Sequence, residues 1–310
     1  MTQSDPRPLV WLPFPADRLE GAPPQLRYAE VVPERSAGIP DIADQVEFYV
    51  LPYRFDAYDV ELLAQLPRLK VVQTQTAGVD HVRPYLPDGV ALCNGRGIHD
   101  ASTAELAVGL IIASQRGFPD FIRAQTTGTW SYGFRPSLAD RRVLIVGYGQ
   151  IGAAIEARLQ PFEVEITRVA RSARPGVHAF TELPQLLPEA EIVVLIVPDT
   201  PQTRGLVDAE FLAALPDGAL LVNVARGPVV VTDDLVAALH SGRIRAALDV
   251  TDPEPLPADH PLWRAPGVLI SPHVGGASSA MEPRSYRLVT RQLQRFADGE
   301  PLANIMSGAY

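Results

Sequence analysis

A glycine pattern set between a strand and a helix constrains this chain more than any other feature. Gly147-Tyr148-Gly149-Gln150-Ile151-Gly152 follows the apolar run 142–146 and opens the helix-forming run 150–160. Glycines at this spacing allow a tight turn, close approach of the backbone to a pyrophosphate, and close helix–strand packing. The helix N-terminus adds free N–H groups and the positive end of its dipole. The pattern predicts a parallel α/β sheet with a dinucleotide at the turn, held by Gly147, Gly149, Gln150, Ile151 and Gly152.

The rest of the chain keeps the same strand–helix rhythm. Runs 46–51, 70–74 and 90–93 read as strands, with a helical run 58–66 between the first two. After the break Asn94-Gly95-Arg96-Gly97, a helix over 104–115 is expected, with Ser102 as its N-cap and Glu105 completing a capping box. A second series follows: strands at 142–146, 164–169, 192–197, 219–224, 246–250 and 268–270, with helices at 150–160, 209–214 and 233–241. A last helix is expected at 283–297. Alternation of this kind argues for parallel sheets with helices on their faces. The fold class is α/β, with two Rossmann-like parallel-sheet domains. No low-complexity linker separates them, so the boundary is a short hinge near 95–99, with a return crossing near 279–282.

Composition narrows the partners. The net charge of -9 disfavours nucleic acid and anionic membrane, which reward clustered Lys and Arg. A single cysteine, Cys93, excludes an intramolecular disulfide and fits a cytoplasmic setting. The first 14 residues lack the basic start and apolar run of a signal peptide, and no segment is long and apolar enough to span a bilayer. No metal-ligand spacing, GK[ST] loop or GxSxG elbow occurs, so metal and hydrolase readings have no support.

The segment after the second strand of the glycine motif bears on which dinucleotide binds. An NAD site expects an acidic residue about 20 positions past the last glycine, for the ribose 2′-OH. Ala170, Arg171 and Ser172 stand there, followed by Arg174. The missing carboxylate removes repulsion, while Arg and Ser supply charge and a hydroxyl for a 2′-phosphate. NADP(H) is expected over NAD(H).

Three later segments each lie at or just past the C-terminal end of an expected strand: Val224-Ala225-Arg226-Gly227, Asp249-Val250-Thr251-Asp252-Pro253-Glu254, and Ser271-Pro272-His273-Val274-Gly275. Open α/β sheets place ligands there. Together with Thr76-Ala77-Gly78-Val79-Asp80 and Pro198-Asp199-Thr200-Pro201-Gln202-Thr203, they resemble the D-isomer-specific 2-hydroxyacid dehydrogenases, and within that family the NADPH-preferring glyoxylate/hydroxypyruvate reductases.

The resemblance implies a discontinuous substrate domain, residues 1–98 and 283–310, with the dinucleotide-binding domain 99–282 inserted in it. It implies a catalytic set of Arg226, Glu254 and His273. His273 matches the general acid that protonates the nascent alkoxide. Glu254 matches the carboxylate that pairs with the imidazole, orienting it and keeping a proton available. Arg226 matches the residue that binds the substrate carboxylate and polarises the carbonyl. Backbone N–H groups of Gly78 and Val79 match the other carboxylate contacts. Further cofactor contacts carried by the resemblance are Thr103, Val197, Pro198, Thr203, Val224, Ala225 and Asp249. The implied substrate is a small 2-oxoacid, and the implied assembly a homodimer.

The same family includes nucleotide-sensing corepressors, so a non-catalytic NAD(P)(H)-binding protein stays open as an alternative. Thr251-Asp252 stands where many relatives carry an aromatic, which unsettles the wall near Glu254. His81 and His99 match no role and read as surface or hinge histidines. Cys93 reads as a small buried hydrophobe, and Trp130 as a packing side chain.

Overall fold

The computed structural model describes residues 5–306 except Phe55. The ends of the expected substrate domain, 1–4 and 307–310, lie outside the described residues. The chain divides into two units, Met1–His99 with Ser279–Tyr310, and Asp100–Ser278.

The first unit is built on strands β1 (Leu9–Leu12), β2 (Arg27–Glu30), β3 (Val46–Val50), β4 (Val71–Gln73) and β5 (Ala91–Cys93), with the short helix α1 (Ala57–Glu61). All pairings are parallel and the order is β2-β1-β3-β4-β5. Adjacent residues along a strand face opposite sides, so a sheet covered on both faces buries every residue. β3 shows this: all its residues are buried. Phe48 and Val50 join one core with Val289 and Leu293, while Tyr49 joins the other with Tyr58, Leu62 and Leu63.

The second unit contains the helices α2 (Asp100–Arg116) and α3 (Phe118–Thr126), then β6 (Arg142–Val146), α4 (Gln150–Leu159), β7 (Glu165–Ala170), β8 (His178–Ala179), α5 (Leu183–Leu186), β9 (Ile192–Leu195), α6 (Ala209–Ala214), β10 (Ala219–Asn223), α7 (Thr232–His240), β11 (Ile244–Leu248) and β12 (Val268–Ile270). The parallel sheet runs β12-β11-β10-β9-β6-β7-β8. This is the doubly wound order, and its direction reverses between β6 and β9. Val143 and Ile145 pack with α2 and α4, and Leu144 and Val146 with α6 and α7. The chain then returns to the first unit as α8 (Met281–Asp298), whose Val289 and Leu293 are the two core residues named above.

Several local expectations need correction. α2 begins at Asp100, so Ser102 lies inside its first turn and is not the cap. Its hydroxyl instead accepts from Ser278 Oγ at 2.8 Å. The expected helix 58–66 is α1 followed by a 3-10 turn, Leu62–Gln65, and its N-cap is Asp56, whose side chain accepts from Tyr58 N. β1, β2 and β8 were not expected: β1 is an apolar run between Pro8 and Pro13, β2 carries Arg27 and Glu30 at its ends, and β8 has only two residues. Trp130 does not pack within the chain: it is 94% exposed, with Tyr132 and Phe134 similarly open nearby. Cys93 is fully buried, and burial pushes its thiol up to about 11. His99 is buried rather than on the surface, donates from Nε2 to Gln75 O (2.8 Å), and is the last residue before the chain enters the second unit.

Candidate active site

The glycine turn sits at the reversal point of the seven-stranded sheet. It leaves the end of β6 with Gly147 at φ 106°. A Cβ there would lie 2.3 Å from Ile196 O, just past β9, so only glycine lets the two strand ends approach. Around Gly149 there is nothing within 4 Å of where a Cβ would stand, leaving an open cradle. Gly149 also provides no side-chain cap for α4. The first N–H groups of that helix therefore remain available to an anion. Gly152 closes the motif: a Cβ would meet Gly147 O at 2.3 Å. This geometry suits a dinucleotide pyrophosphate.

Beyond β7, Arg171, Ser172 and Arg174 are exposed. Arg174 donates to Tyr148 O at 2.5 Å, and its guanidinium lies 5.6 Å from the Tyr148 ring centre. This tether keeps the charge beside the glycine turn. The Tyr148 hydroxyl donates to Glu156, which Arg168 grips through two nitrogens. The Arg168 guanidinium holds the Glu156 carboxyl below its ordinary value, with the Tyr148 hydroxyl adding to the effect. Nothing in the sequence motif announced this cluster. Its signal was an acid on one face of α4 and a base at an interior position of β7.

Further expected cofactor residues line neighbouring strand ends. Val197 is buried just past β9, and Pro198 accepts from Thr203 Oγ1 at 2.5 Å. Thr203 Oγ1 also accepts from Thr200 N, so this one hydroxyl holds the loop shut. Val224 and Ala225 are buried just past β10. Thr103 Oγ1 donates to Gly275 O at 3.2 Å.

Past the adjacent ends of β10, β11 and β12, the structure gathers Arg226, Glu254 and His273. Arg226 leaves β10 through a turn tied by Asn223: its side chain donates to Arg226 O (3.0 Å) and accepts from Ala225 N (3.0 Å). Gly227 then presses on the chain past β11, where a Cβ would stand only 1.9 Å from Thr251 O. Arg226 is thereby fixed next to the segment that carries Glu254. Thr251 Oγ1 donates to Pro253 O (2.9 Å) and Thr232 Oγ1 to Asp252 O (2.6 Å), which set the path of that segment.

His273 Nδ1 and Glu254 Oε1 are 2.5 Å apart. The pairing occupies one ring nitrogen and leaves Nε2 on the other edge of a ring whose side chain is 29% exposed. The backbone of His273 is left-handed, φ 52°, an unusual state for a non-glycine residue. Asp249 holds it there. This buried carboxylate accepts from Ser271 Oγ (2.7 Å), Val274 N (2.9 Å) and Gly275 N (2.8 Å), and Asp249 O accepts from His273 N (2.7 Å). Gly275 is required because a Cβ would meet Asp249 Oδ2 at 2.9 Å. Asp249 was expected beside the cofactor; its carboxylate is seen shaping the histidine loop. Sequence reasoning missed that function, and gave no role to Ser271 or Asn223, which lie in the same segments as His273 and Arg226.

In the five-stranded unit, the expected substrate residues Gly78 and Val79 lie on the loop after β4, with Val79 fully buried. Among the described residues no group of three or more His, Cys, Asp or Glu could hold a metal, and no helix is long and apolar enough to cross a membrane.

Comparison with known proteins gives this arrangement a lineage. Residues 108–275, more than half the chain, match the model of the D-isomer specific 2-hydroxyacid dehydrogenase NAD binding domain. The chain belongs to the D-isomer-specific 2-hydroxyacid dehydrogenases. It is 35% identical over 262 residues to a glyoxylate reductase of Thermofilum pendens, covering 79% of this chain and 77% of that one. Human glyoxylate reductase/hydroxypyruvate reductase is 35% identical over 249 residues, 76% of each chain. A D-isomer specific 2-hydroxyacid dehydrogenase from Xanthobacter autotrophicus Py2, solved in complex with NADPH and MES, superposes with a TM-score of 0.82 at 32% identity, covering 96% of this chain and 97% of that one. As a 2-hydroxyacid dehydrogenase, the chain is an NAD(P)-dependent oxidoreductase acting on a CH–OH group.

Proposed function

We propose that this 2-hydroxyacid dehydrogenase reduces a small 2-oxoacid of the glyoxylate or hydroxypyruvate type to the D-2-hydroxyacid, preferring NADPH. The observation that carries the reading is the His273–Glu254 pair held past the ends of β11 and β12, with Arg226 past the neighbouring strand β10.

The roles follow from the chemistry of each group. The nicotinamide, when bound, supplies the hydride that reduces C2 of the oxoacid. His273 gives the proton that the new alkoxide takes up, from Nε2, because Nδ1 is engaged by Glu254. Glu254 orients the ring through Nδ1, so it acts as a positioning residue. Arg226 offers a planar, permanently charged fork to the carboxylate and to the charge developing on the carbonyl oxygen. On the five-stranded unit, which we assign as the substrate domain, the N–H groups of Gly78 and Val79 hold the carboxylate. Gly147, Gly149, Gln150, Ile151 and Gly152 cradle the pyrophosphate, with Thr103, Val197, Pro198, Thr203, Val224, Ala225 and Asp249 lining the rest of the cofactor site.

The NADPH preference rests on Arg171, Ser172 and the tethered Arg174, with Ala170 where a carboxylate would repel a 2′-phosphate. A homodimer is the proposed assembly. Trp130, Tyr132 and Phe134 are 84–95% exposed, and Phe118, Phe121 and Ile122 of α3 are open as well, a concentration of exposed large apolar side chains of the kind that marks interaction surfaces. We read it as a face that a second copy covers.

The experiment is the loss of reduced-nicotinamide absorbance with NADPH or NADH across glyoxylate, hydroxypyruvate, pyruvate and bulkier 2-oxoacids. Turnover favouring NADPH and a small oxoacid is expected. Turnover favouring NADH overturns the cofactor preference alone. Tight nucleotide binding without turnover on any oxoacid sinks the reductase reading in favour of a nucleotide-sensing role.

A further inference from the structure

A loop that binds a carboxylate through its amides must turn its carbonyl oxygens elsewhere, because a C=O facing the anion repels it. The loop after β4 meets this demand at each peptide through an identifiable donor. Thr76 O accepts from Gly95 N at 2.7 Å and from Thr74 Oγ1 at 2.8 Å. Ala77 O accepts from Asn94 Nδ2 at 2.8 Å. Gly78 O accepts from Thr76 Oγ1 at 2.8 Å.

A trans peptide is planar, with its C=O and N–H pointing in opposite directions. The cis bonds among the described residues are Asp252–Pro253 and Glu254–Pro255, so the loop peptides are trans. Fixing Ala77 O therefore fixes the direction of Gly78 N–H. Fixing Gly78 O likewise fixes Val79 N–H. Asn94 and Thr76 thus act on the two amides that the functional reading gives to the substrate carboxylate.

Asn94 is itself held against rotation. It is 3% exposed, and its Oδ1 accepts from Arg96 N at 3.2 Å, which directs the NH2 end to Ala77 O. Its backbone N donates to Asn304 O (3.1 Å) and its O accepts from Gln73 Nε2 (3.1 Å). The next residue, Gly95, lies so close to the loop that a Cβ would stand 2.6 Å from Gln75 C. The donor frame has no room to slide.

We infer that Asn94 and Thr76 are positioning residues for substrate: they turn the 76–79 carbonyls away and aim the Gly78 and Val79 amides at the 2-oxoacid carboxylate. This rests on the functional reading above. Neither side chain touches the reacting atoms, so the effect falls on oxoacid affinity and leaves nucleotide affinity alone. An interaction made equally in the ground and transition states appears in KM more than in kcat.

The test compares Thr76→Val, which keeps the shape but removes the hydroxyl, with Thr76→Ser, which restores it, and adds Asn94→Leu. Steady-state kinetics with glyoxylate and NADPH, NADPH binding by fluorescence, inhibition by oxalate, and melting temperature are measured for each. In Thr76→Val the glyoxylate KM and the oxalate inhibition constant are expected to rise about 10-fold, the scale of one hydrogen bond to a charged group. Its kcat is expected within about threefold, its NADPH binding is unchanged, and Thr76→Ser recovers the wild-type values. Asn94→Leu is expected to behave like Thr76→Val; if it does not fold, the Thr76 pair still decides. Wild-type turnover with unchanged glyoxylate KM in Thr76→Val overturns the positioning role and leaves the reductase reading intact. A drop in melting temperature without a KM change does the same. Absence of turnover by the wild-type chain overturns the functional reading, and this inference with it.

Discussion

The two sheets support their functional loops by different means. In the seven-stranded unit, glycines allow close approach: Gly147 against Ile196 O, Gly227 against Thr251 O, and Gly275 against the Asp249 carboxylate. Positions there are set by close approach at glycine, with Asn223 and Asp249 tying the turns locally. In the five-stranded unit, side chains from distant parts of the sequence do the work. Ser285 of α8 donates to Gln75 Oε1 at 2.7 Å, Gln292 donates to Gln73 Oε1 at 2.9 Å, and Asn94 reaches Ala77 O. One unit places its chemistry by local turn geometry and the other by a buried polar network, where each missing partner leaves an unsatisfied group. Damage to the first should be local and chemical, and damage to the second should spread through stability.

The largest test is His273→Ala. If the seven-stranded unit carries the proton transfer, kcat for oxoacid reduction should fall about 100- to 10,000-fold with the melting temperature unchanged. Near-normal turnover would remove the chemical asymmetry between the units.

Next in size is Arg168→Met, which takes the guanidinium from buried Glu156 and leaves it the Tyr148 and Gln160 donors. Because Arg168 is partly exposed and Glu156 keeps two donors, the loss should be about 1–3 kcal/mol, the scale of a hydrogen bond to a charged group. Because the folded carboxyl is held below its ordinary value of 4.5, its contribution is fully present above that pH and is lost as pH falls through the folded value. The gap between wild type and variant in thermal stability should therefore be widest near neutral pH and close below pH 4.5. A gap independent of pH would show that packing, and not the charge pair, sets the loss.

Ser285→Ala probes the other unit. It leaves Gln75 Oε1 buried without its donor, and about 1–3 kcal/mol of stability should go with it. NADPH affinity should not move. Stability equal to wild type would mean that the polar network is not what holds the five-stranded unit together.

The smallest expected effect belongs to Arg171→Ala, which should weaken NADPH about 10-fold while leaving NADH nearly alone. Equal effects on both nucleotides would refute the 2′-phosphate assignment and sharpen the view that Arg174, tethered to Tyr148, sets the preference.

The seven-stranded unit was the more legible of the two. Its strands are mostly apolar runs of three to six residues, apart from the two-residue β8, and its glycines recur at motif spacing. The five-stranded unit hid β1 and β2, each four residues long, and disguised α1, which gives way to a 3-10 turn within five residues. Arg226, Glu254 and His273 could be named from their place after strands and from family resemblance. The Asp249 cradle beneath His273 could not, because a carboxylate that binds backbone amides leaves no periodic trace.

By itself the sequence determined the period-two and helical patterns, the glycine turn, and the residue types able to do the chemistry, since these depend on neighbours within a few positions. Only the tertiary structure decided that Ser102 is a helix-interior partner of Ser278, that Arg168 grips Glu156, and that Asn94 turns the carbonyl of Ala77. Those pairings join residues 12 to 176 positions apart. Their formation depends on strand register and helix docking, and no local pattern encodes either.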